Sequence, residues 1–246
     1  MSSLNIELCP KEFRERIKEC PVAYLPLGTL EWHGPHNPLG ADGIQSEGFF
    51  ERFANEYGGI VLPKLFLGPD RKKIVDGIEY YGIDYSNNDD PVIAYDDCQL
   101  SGSAYYVDDE LFEMILMNIA KQLTRAGFKI LVAHGHGPSI FAFQRLKDKF
   151  KDTYGLDTLT LFDLDIEDEL KFQNDHAAAN ETSIMMALRK DLVHMEYNDE
   201  EVMKAVYGKD PRIFASEKLG NEIIDINIKY LKEALDTMRK QYEKKS

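Results

Sequence analysis

The residues of this chain best suited to chemistry gather in two short stretches. In "LPLGTLEWHGPHNPLGAD" (25–42) an apolar run breaks into Gly and Pro and supplies Glu31, His33, His36 and Asp42. Glu31 and His33 are separated by one residue, so in an extended segment both side chains point to one face and reach one site. Asp42 follows across a Gly/Pro-rich loop. Carboxylate oxygens and imidazole nitrogens together suit borderline or hard divalent ions such as Zn²⁺, Mn²⁺ or Fe²⁺. The absence of cysteine from the set argues against a closed structural zinc site and for an open, catalytic one. The second stretch, "FKILVAHGHGPS" (128–139), ends in His134-Gly135-His136-Gly137, whose glycines permit close backbone approach and one of whose histidines is expected to face the metal. Two clusters of ligand types at the ends of apolar runs imply a metal site. Trp32, between Glu31 and His33, is read as packing.

Such a site needs elements to hold it. "PVAYLPLGT" reads as a buried strand, preceded by a short charged helix around Lys11 to Glu19. "DGIQSEGFFERFANEY" carries apolar residues at helical spacing, and the glycine-started run "GGIVLPKLFLG" resembles the next strand, so a βαβ unit is expected. Residues 70–106, rich in Gly, Asn, Asp and Tyr with no sustained period, read as a long insertion loop of functional character. Its tyrosines, Tyr80, Tyr81, Tyr85, Tyr95, Tyr105 and Tyr106, suit a stacking wall for a flat heterocycle or else packing or subunit contact. "DDELFEMILMNIAKQLTRAG" is an amphipathic helix closed by Gly127, and "FKILVAHGHGPS" the strand after it. A helix near Ile140 to Phe150, a strand "LDTLTLFDL", a helix at "NETSIMMALRKDL" and a terminal amphipathic helix complete the pattern. The whole reads as a single domain over 1–246, an α/β chain folded as a three-layer α/β/α sandwich around a mostly parallel sheet, with ligands beyond the carboxyl ends of the strands.

Composition narrows the partners. In 246 residues, 29 basic against 43 acidic side chains give a formal charge of −14, which repels nucleic acid and anionic membranes. Three cysteines without CxxC spacing suggest neither a disulfide framework nor a thiolate metal site. No signal core or membrane-spanning run occurs, so a cytoplasmic protein is expected. Neither a GxGxxG nor a GxxxxGK[ST] phosphate loop is present.

Three motifs carry a resemblance to the creatininase (creatinine amidohydrolase-like) family. "LPLGTLEWHGPHNPLGAD" is similar to that family's opening strand, its Glu-x-His-Gly-x-His pattern and its metal-bridging Asp; "LVAHGHG" resembles its Asn-Gly-His turn; "DHAAANETSIMMAL" resembles its His-Ala-Gly-x-x-Glu-Thr-Ser segment. The resemblance implies a creatininase-like fold, with Glu31, His33, Asp42 and His136 as ligands of one or two divalent ions (Zn, Mn or Fe) and Asp42 able to bridge them. The chain also departs from the pattern. Where the name-giving enzymes have a glutamate two residues after the Asn-Gly-His histidine, this chain has Pro138, and Glu181 is the natural substitute as ligand to a second ion. His134 replaces the family's Asn, and "QLSGS" stands where many members have Pro-Gly-Thr.

The activity so implied is that of a metal-dependent amidohydrolase that cleaves a C–N bond of a small amide, cyclic amide or formamide, outside ordinary peptide bonds, through an activated water. His176 and Glu181 are the expected catalytic residues, with His176 as proton donor to the leaving nitrogen and Asp175 orienting its ring. The resemblance also implies a homo-oligomer, a hexamer in relatives. The alternative is a non-catalytic metal- or ligand-binding protein on the same fold, suggested by Pro138 and the altered "QLSGS" turn. Retention of His176 and Glu181 speaks against it.

Overall fold

In the computed structural model, residues 2–84, 100, 102–200 and 203–243 are described. The strands in chain order are β1 (Val22–Leu27), β2 (Ile60–Val61), β3 (Lys72–Val75), β4 (Ile78–Tyr81), β5 (Ile130–Gly135) and β6 (Asp157–Thr160). β2, β1, β5 and β6 lie side by side in that order as one parallel sheet, with Val22 to Leu27 of β1 in register with Ile130 to Gly135 of β5. The helices are α1 (Pro10–Glu19), α2 (Ala41–Tyr57), α3 (Asp109–Ala126), α4 (Gly137–Arg145), α5 (Lys147–Tyr154), α6 (Ala179–Arg189), the short α7 (Tyr197–Glu200) and α8 (Pro211–Phe214), and α9 (Glu217–Glu243).

Both faces of the sheet are covered, and the central strands show it residue by residue. Val22 and Tyr24 of β1, with Ile130 and Val132 of β5, enter one core with Phe49, Phe50 and Phe53 of α2, Ile184 of α6 and Leu231 of α9. Ala23, Leu25, Leu27, Leu131 and Ala133 enter a second core with Phe112 and Leu116 of α3, Phe143 of α4 and Phe150 of α5. Alternate side chains of a strand point to opposite faces, so a strand buried on both sides must be apolar throughout. That is the fold expected from the sequence. No helix among the described residues is long and apolar enough to cross a membrane.

Three expectations need correction. "GGIVLPKLFLG" forms a strand only over Ile60–Val61, because Pro63 supplies no amide hydrogen to continue the ladder; isolated bridges, Leu27 to Leu65 and Gly68 to Tyr106, follow. The segment from 70 is not all loop, since β3 and β4 pair as an antiparallel hairpin turned at Asp76 and Gly77. Tyr85 and Tyr95 of that segment lie outside the described residues. The helix expected near Ile140 to Phe150 is two helices, α4 and α5, meeting at Leu146.

Winding reverses between β1 and β5. From β1 the chain crosses to β2 on one side, whereas β5 and β6 lie on the other. At such a switch point the loops leaving two adjacent strands diverge and open a crevice at their carboxyl ends. Here they are the loop carrying Glu31 and His33, after β1, and the turn carrying His136, after β5.

Candidate metal centre

Backbone contacts hold the two loops closely together. Gly135 has φ +142°, and a Cβ there would lie 1.7 Å from the carbonyl oxygen of Leu27, so a side chain at this position would drive β5 off β1. Gly137, by contrast, has open space around it and is not required for close approach. Asp42 sits in the first turn of α2, whose approach to the end of β1 is fixed at Gly28, where a Cβ would lie 3.0 Å from the Gly43 backbone.

The five ligand candidates converge, fully buried, into two groups that share one carboxylate. Glu31, Asp42 and His136 place ligand atoms within 4.8 Å of one another, and so do His33, Asp42 and Glu181. His136 Nδ1 lies 3.0 Å from Glu31 Oε1 and 3.3 Å from Asp42 Oδ2. His33 Nε2 lies 3.2 Å from Asp42 Oδ1 and 3.7 Å from Glu181 Oε2. Ligands about 2.1 Å from a tetrahedral ion stand about 3.4 Å apart, so these separations suit a shared cation. Asp42 Oδ2 supports the fit independently: it is buried and, despite its nearness to His136, has no aligned hydrogen-bond donor. The donor set, carboxylate and imidazole without thiolate, suits Zn²⁺ or Mn²⁺.

Backbone carbonyls fix which histidine nitrogen faces the centre. A carbonyl only accepts, so the ring nitrogen against it carries the hydrogen and the other is the one that offers a lone pair once the ring is neutral. His136 Nε2 donates to the Pro69 carbonyl at 3.2 Å, with Asp70 Oδ2 at 3.5 Å, leaving Nδ1 for the centre. His33 Nδ1 donates to the Glu31 carbonyl at 3.3 Å, leaving Nε2. His134 turns the other way: its Nε2 donates to the Phe172 carbonyl at 3.2 Å, its ring meets Phe162 and Phe172 edge-on, and burial lowers its pKa to about 3. It is a packed neutral side chain and takes no part in the cluster. His36 is likewise held neutral, its pKa lowered to about 4 by burial, with Nε2 against Thr182 Oγ1 at 2.8 Å.

Charge within the cluster is divided unevenly. Burial alone would raise Glu31, but His136 beside it holds it below the ordinary carboxylate range. Burial likewise opposes ionisation of Asp42, which the two histidines bring well below its usual value. Burial would lower His33, and the surrounding carboxylates, Asp42 first, instead raise it to about 10; His136 is raised well above its usual value by Glu31 and Asp42. Glu181 differs: burial raises it well above 4.5, against the pull of His33. Its Oε2 accepts the Ala177 amide hydrogen at 2.7 Å.

His176 lies over the cluster, its ring stacked on His33 with centroids 4.4 Å apart. Its Nε2 donates to the Trp32 carbonyl at 2.8 Å, and burial, then the charge of His33, lower its pKa. It also comes within ligand distance of Glu31 and His33. Asp175 does not orient this ring. Its oxygens instead accept the amide hydrogens of Asn180 at 2.8 Å and Glu181 at 3.0 Å, which start α6 and carry Glu181 inward.

Gln173, which the sequence did not mark, also touches the cluster, as does Tyr106, which it did. Gln173 Nε2 donates to Asp42 Oδ1 at 3.2 Å, while its Oε1 accepts from Ser46 at 3.0 Å. Gln173 and Ala177 adopt the left-handed conformation, φ +54° and +53°, on either side of His176, the kind of strain that persists only where surroundings impose it. Tyr106 Oη approaches Glu31 Oε2 at 3.4 Å and stacks on Tyr81, so these two tyrosines pack on each other and on a ligand. Glu31, Asp42, His136 and Glu181 line a cavity of about 670 Å³ together with Tyr80, Phe162, His176, Tyr207 and the exposed Arg71 and Lys73. Pro138 lines it too, without a ligand atom.

Comparison with known proteins agrees with this architecture. The family model Creatininase, described as creatinine amidohydrolase, matches residues 7–77 and 96–242. A 3-dehydro-scyllo-inosose hydrolase of Thermotoga maritima is 25% identical over 201 residues, a match that covers 76% of this chain and 56% of that protein. This chain therefore spans little more than half the length of that relative. Among solved structures, a Glu-to-Gln variant of creatininase of Zn–Zn type superposes with a TM-score of 0.71 at 19% identity, covering 97% of this chain and 98% of that one. A manganese creatininase does so with a TM-score of 0.68 at 20% identity, covering 97% and 99%. At these identities the likeness is one of fold.

Proposed function

The chain belongs to the creatininase family, and from that membership together with the shared-carboxylate cluster we propose that it is a metal-dependent hydrolase acting on a C–N bond of a small amide, cyclic amide or formamide. The observation that carries the reading is the pair of ligand groups joined at Asp42. Glu31, Asp42 and His136 would hold one divalent ion, and His33, Asp42 and Glu181 a second, with Glu181 supplying the carboxylate that Pro138 cannot. When bound, such ions supply Lewis acidity and bring the pKa of a coordinated water towards neutrality.

His176 does the proton work in this reading, in a modified role. With its pKa lowered and its Nε2 hydrogen committed to Trp32, it starts neutral, so it first accepts a proton at Nδ1 and then delivers it to the leaving nitrogen. Amide and water give acid and amine, and the proton taken from water ends on the amine.

The test is a hydrolysis screen of the purified protein across small amides, cyclic amides and formamides, with and without added Mn²⁺ or Zn²⁺. 3-Dehydro-scyllo-inosose, the compound named for the Thermotoga relative, belongs in the same screen. Metal-dependent turnover of an amide supports the proposal. Turnover of the inosose alone would keep the hydrolase and change the bond, and stoichiometric metal without turnover of anything would favour a binding protein on the same fold. Self-association is also proposed, and light scattering that returned a mass near the chain's 28.2 kDa at micromolar concentration would overturn it.

A further inference from the structure

Helix α3 is apolar over more of its surface than the core requires. Phe112, Leu116, Ala120 and Leu123 turn one face inward against the sheet. Leu111, Met114, Ile115 and Ile119 form a second stripe at helical spacing, and of these Leu111 is 45% and Met114 52% exposed. Beside this stripe runs a groove of about 720 Å³, almost wholly apolar, to which Leu25, Leu62 and Leu65 also contribute. Apolar surface of this kind, continuous from a helix into a groove, marks a contact face.

The charges along the stripe are ordered for a copy of itself. Met114 and Asn118 border both the groove and a depression on the other side of α3 that takes in Glu110. On that flank Lys121 and Arg125 follow Met114 at helical spacing, and Lys121 lies about 16 Å beyond Glu110 along the axis, too far to pair with it. Among the described residues neither Glu110 nor Lys121 has an ion-pair partner, whereas Asp109 and Glu113 are taken by Arg145. Arg125 meets the neutral Gln122 at 2.6 Å.

A stripe with an unpaired acid near its start and bases near its end is complementary to its own antiparallel copy. With a twofold axis crossing α3 between positions 116 and 117, Met114 of each copy meets Ile119 of the other and Ile115 meets Asn118, while Glu110 of each falls between Lys121 and Arg125 of the other. The formal charge of −14 opposes the approach of two copies, so a contact between them must balance charge locally, and this stripe does.

We propose that this face of α3, with the groove beside it, is the surface on which a second copy of the chain docks, antiparallel and about a twofold axis. Burial of Leu111 and Met114 drives the association, and the flanking charges set its direction. The assignment rests on the reading of the chain as a homo-oligomer and names the face that makes it one.

The experiment is light scattering and sedimentation equilibrium on the full chain at micromolar concentration. The proteins compared are wild type, Met114→Glu, Glu110→Lys, a triple exchange (Glu110→Lys with Lys121→Glu and Arg125→Glu), and Ile213→Glu on α8 as a control at another exposed apolar side chain. All substituted positions are exposed, and circular dichroism checks that each variant is folded. Met114→Glu should halve the mass, because an assembly built on a twofold contact splits into halves when that contact is lost, and Ile213→Glu should leave it unchanged. Glu110→Lys sets like charges opposite each other at two symmetric places and should raise the dissociation constant about tenfold, and the triple exchange should return it to within about threefold of wild type. A wild-type mass near 28.2 kDa would overturn self-association and this face with it. An assembly that Met114→Glu leaves intact would overturn the face alone and leave self-association standing. Dissociation by Met114→Glu without any effect of Glu110→Lys, or without recovery in the triple exchange, would overturn the antiparallel pairing and give the stripe to a different surface.

Discussion

The two halves of the ligand cluster share Asp42 and differ in how their other members are held. On one side Glu31 and His136 already form an ion pair at 3.0 Å, in which the carboxylate is ionised and the imidazole protonated. His136 is braced from behind by the Pro69 carbonyl and Asp70. On the other side Glu181 arrives from the first turn of a helix, and burial pushes its carboxyl well above the usual carboxylate range against the pull of His33. The first half is charged before any cation arrives, and a proton stands in for the cation. In the second half, where His33 and Asp42 are paired at 3.2 Å, burial opposes the charge of Glu181, which a cation would favour. Two sites built from the same residue types around one shared carboxylate are thus expected to differ in affinity, and the difference follows from burial and bracing.

Breaking the shared residue should have the largest effect. Asp42→Asn removes the one charge common to both halves, and both ions should weaken by more than the 10- to 100-fold typical of an outer contact. Elemental analysis after desalting should find little metal, and full occupancy would exclude Asp42 as a ligand. Glu181→Gln, which keeps volume and the Ala177 contact, should weaken the second ion comparably and the first little. Two-site calorimetry reads this directly. Equal loss from both sites would mean that the halves are not separable, and no loss from either would make Glu181 structural.

His176→Ala should cost rate without metal. A proton-transfer residue contributes about 10²- to 10⁴-fold, so kcat should fall in that range while both ions stay bound. If the variant instead loses an ion, the group Glu31, His33 and His176 is a ligand set and the proton route needs another residue.

How much of this was visible in the sequence depended on how each residue acts. The central strands were legible because two-sided burial demands unbroken apolar runs such as Val22 to Leu27. The hairpin β3–β4 was not, since its residues are mostly exposed on both faces and leave no alternation to read. Glu31, His33 and Asp42 could be picked out by type and spacing because a metal site selects for carboxylate and imidazole, whereas His136 over His134, and Glu181, were indicated by the family resemblance; the structure brings all five together. Gln173 and the Pro69 carbonyl could not, because a neutral amide and a backbone oxygen have no signature of type, and their worth lies entirely in position. Asp175 shows the opposite error. Adjacency to His176 suggested a partnership, but neighbouring side chains diverge, and this one turned to the amide hydrogens of α6.

Acidity offers a further way to sharpen the contrast. In the metal-free protein His33 keeps its proton up to about pH 10, and His136 and Glu181 are raised as well, so below those values each ion must displace protons to reach its ligands. Affinity should therefore rise with pH and fall as pH drops, by about tenfold per pH unit for each proton displaced. The second site, where both His33 and Glu181 are raised, should be the steeper of the two. Calorimetry in buffers of different ionisation enthalpy counts the protons, and an affinity independent of pH between 6 and 8 would contradict the charge division described for the metal-free cluster.

The smallest expected effect tests the bracing itself. Asp70 reaches His136 Nε2 at 3.5 Å, behind a shorter hydrogen bond to the Pro69 carbonyl at 3.2 Å, so the carbonyl alone should keep the ring oriented. Asp70→Asn would then weaken the first ion by less than about tenfold, the lower edge of what outer contacts contribute, and leave the second unchanged. Gln173→Leu makes the informative partner. Gln173 holds the shared carboxylate through both Asp42 Oδ1 and the Asp42 carbonyl, so its loss should weaken both ions, and by more. A variant pair in which Asp70→Asn struck both sites, or Gln173→Leu only one, would show that the halves are coupled through their supports instead of through Asp42.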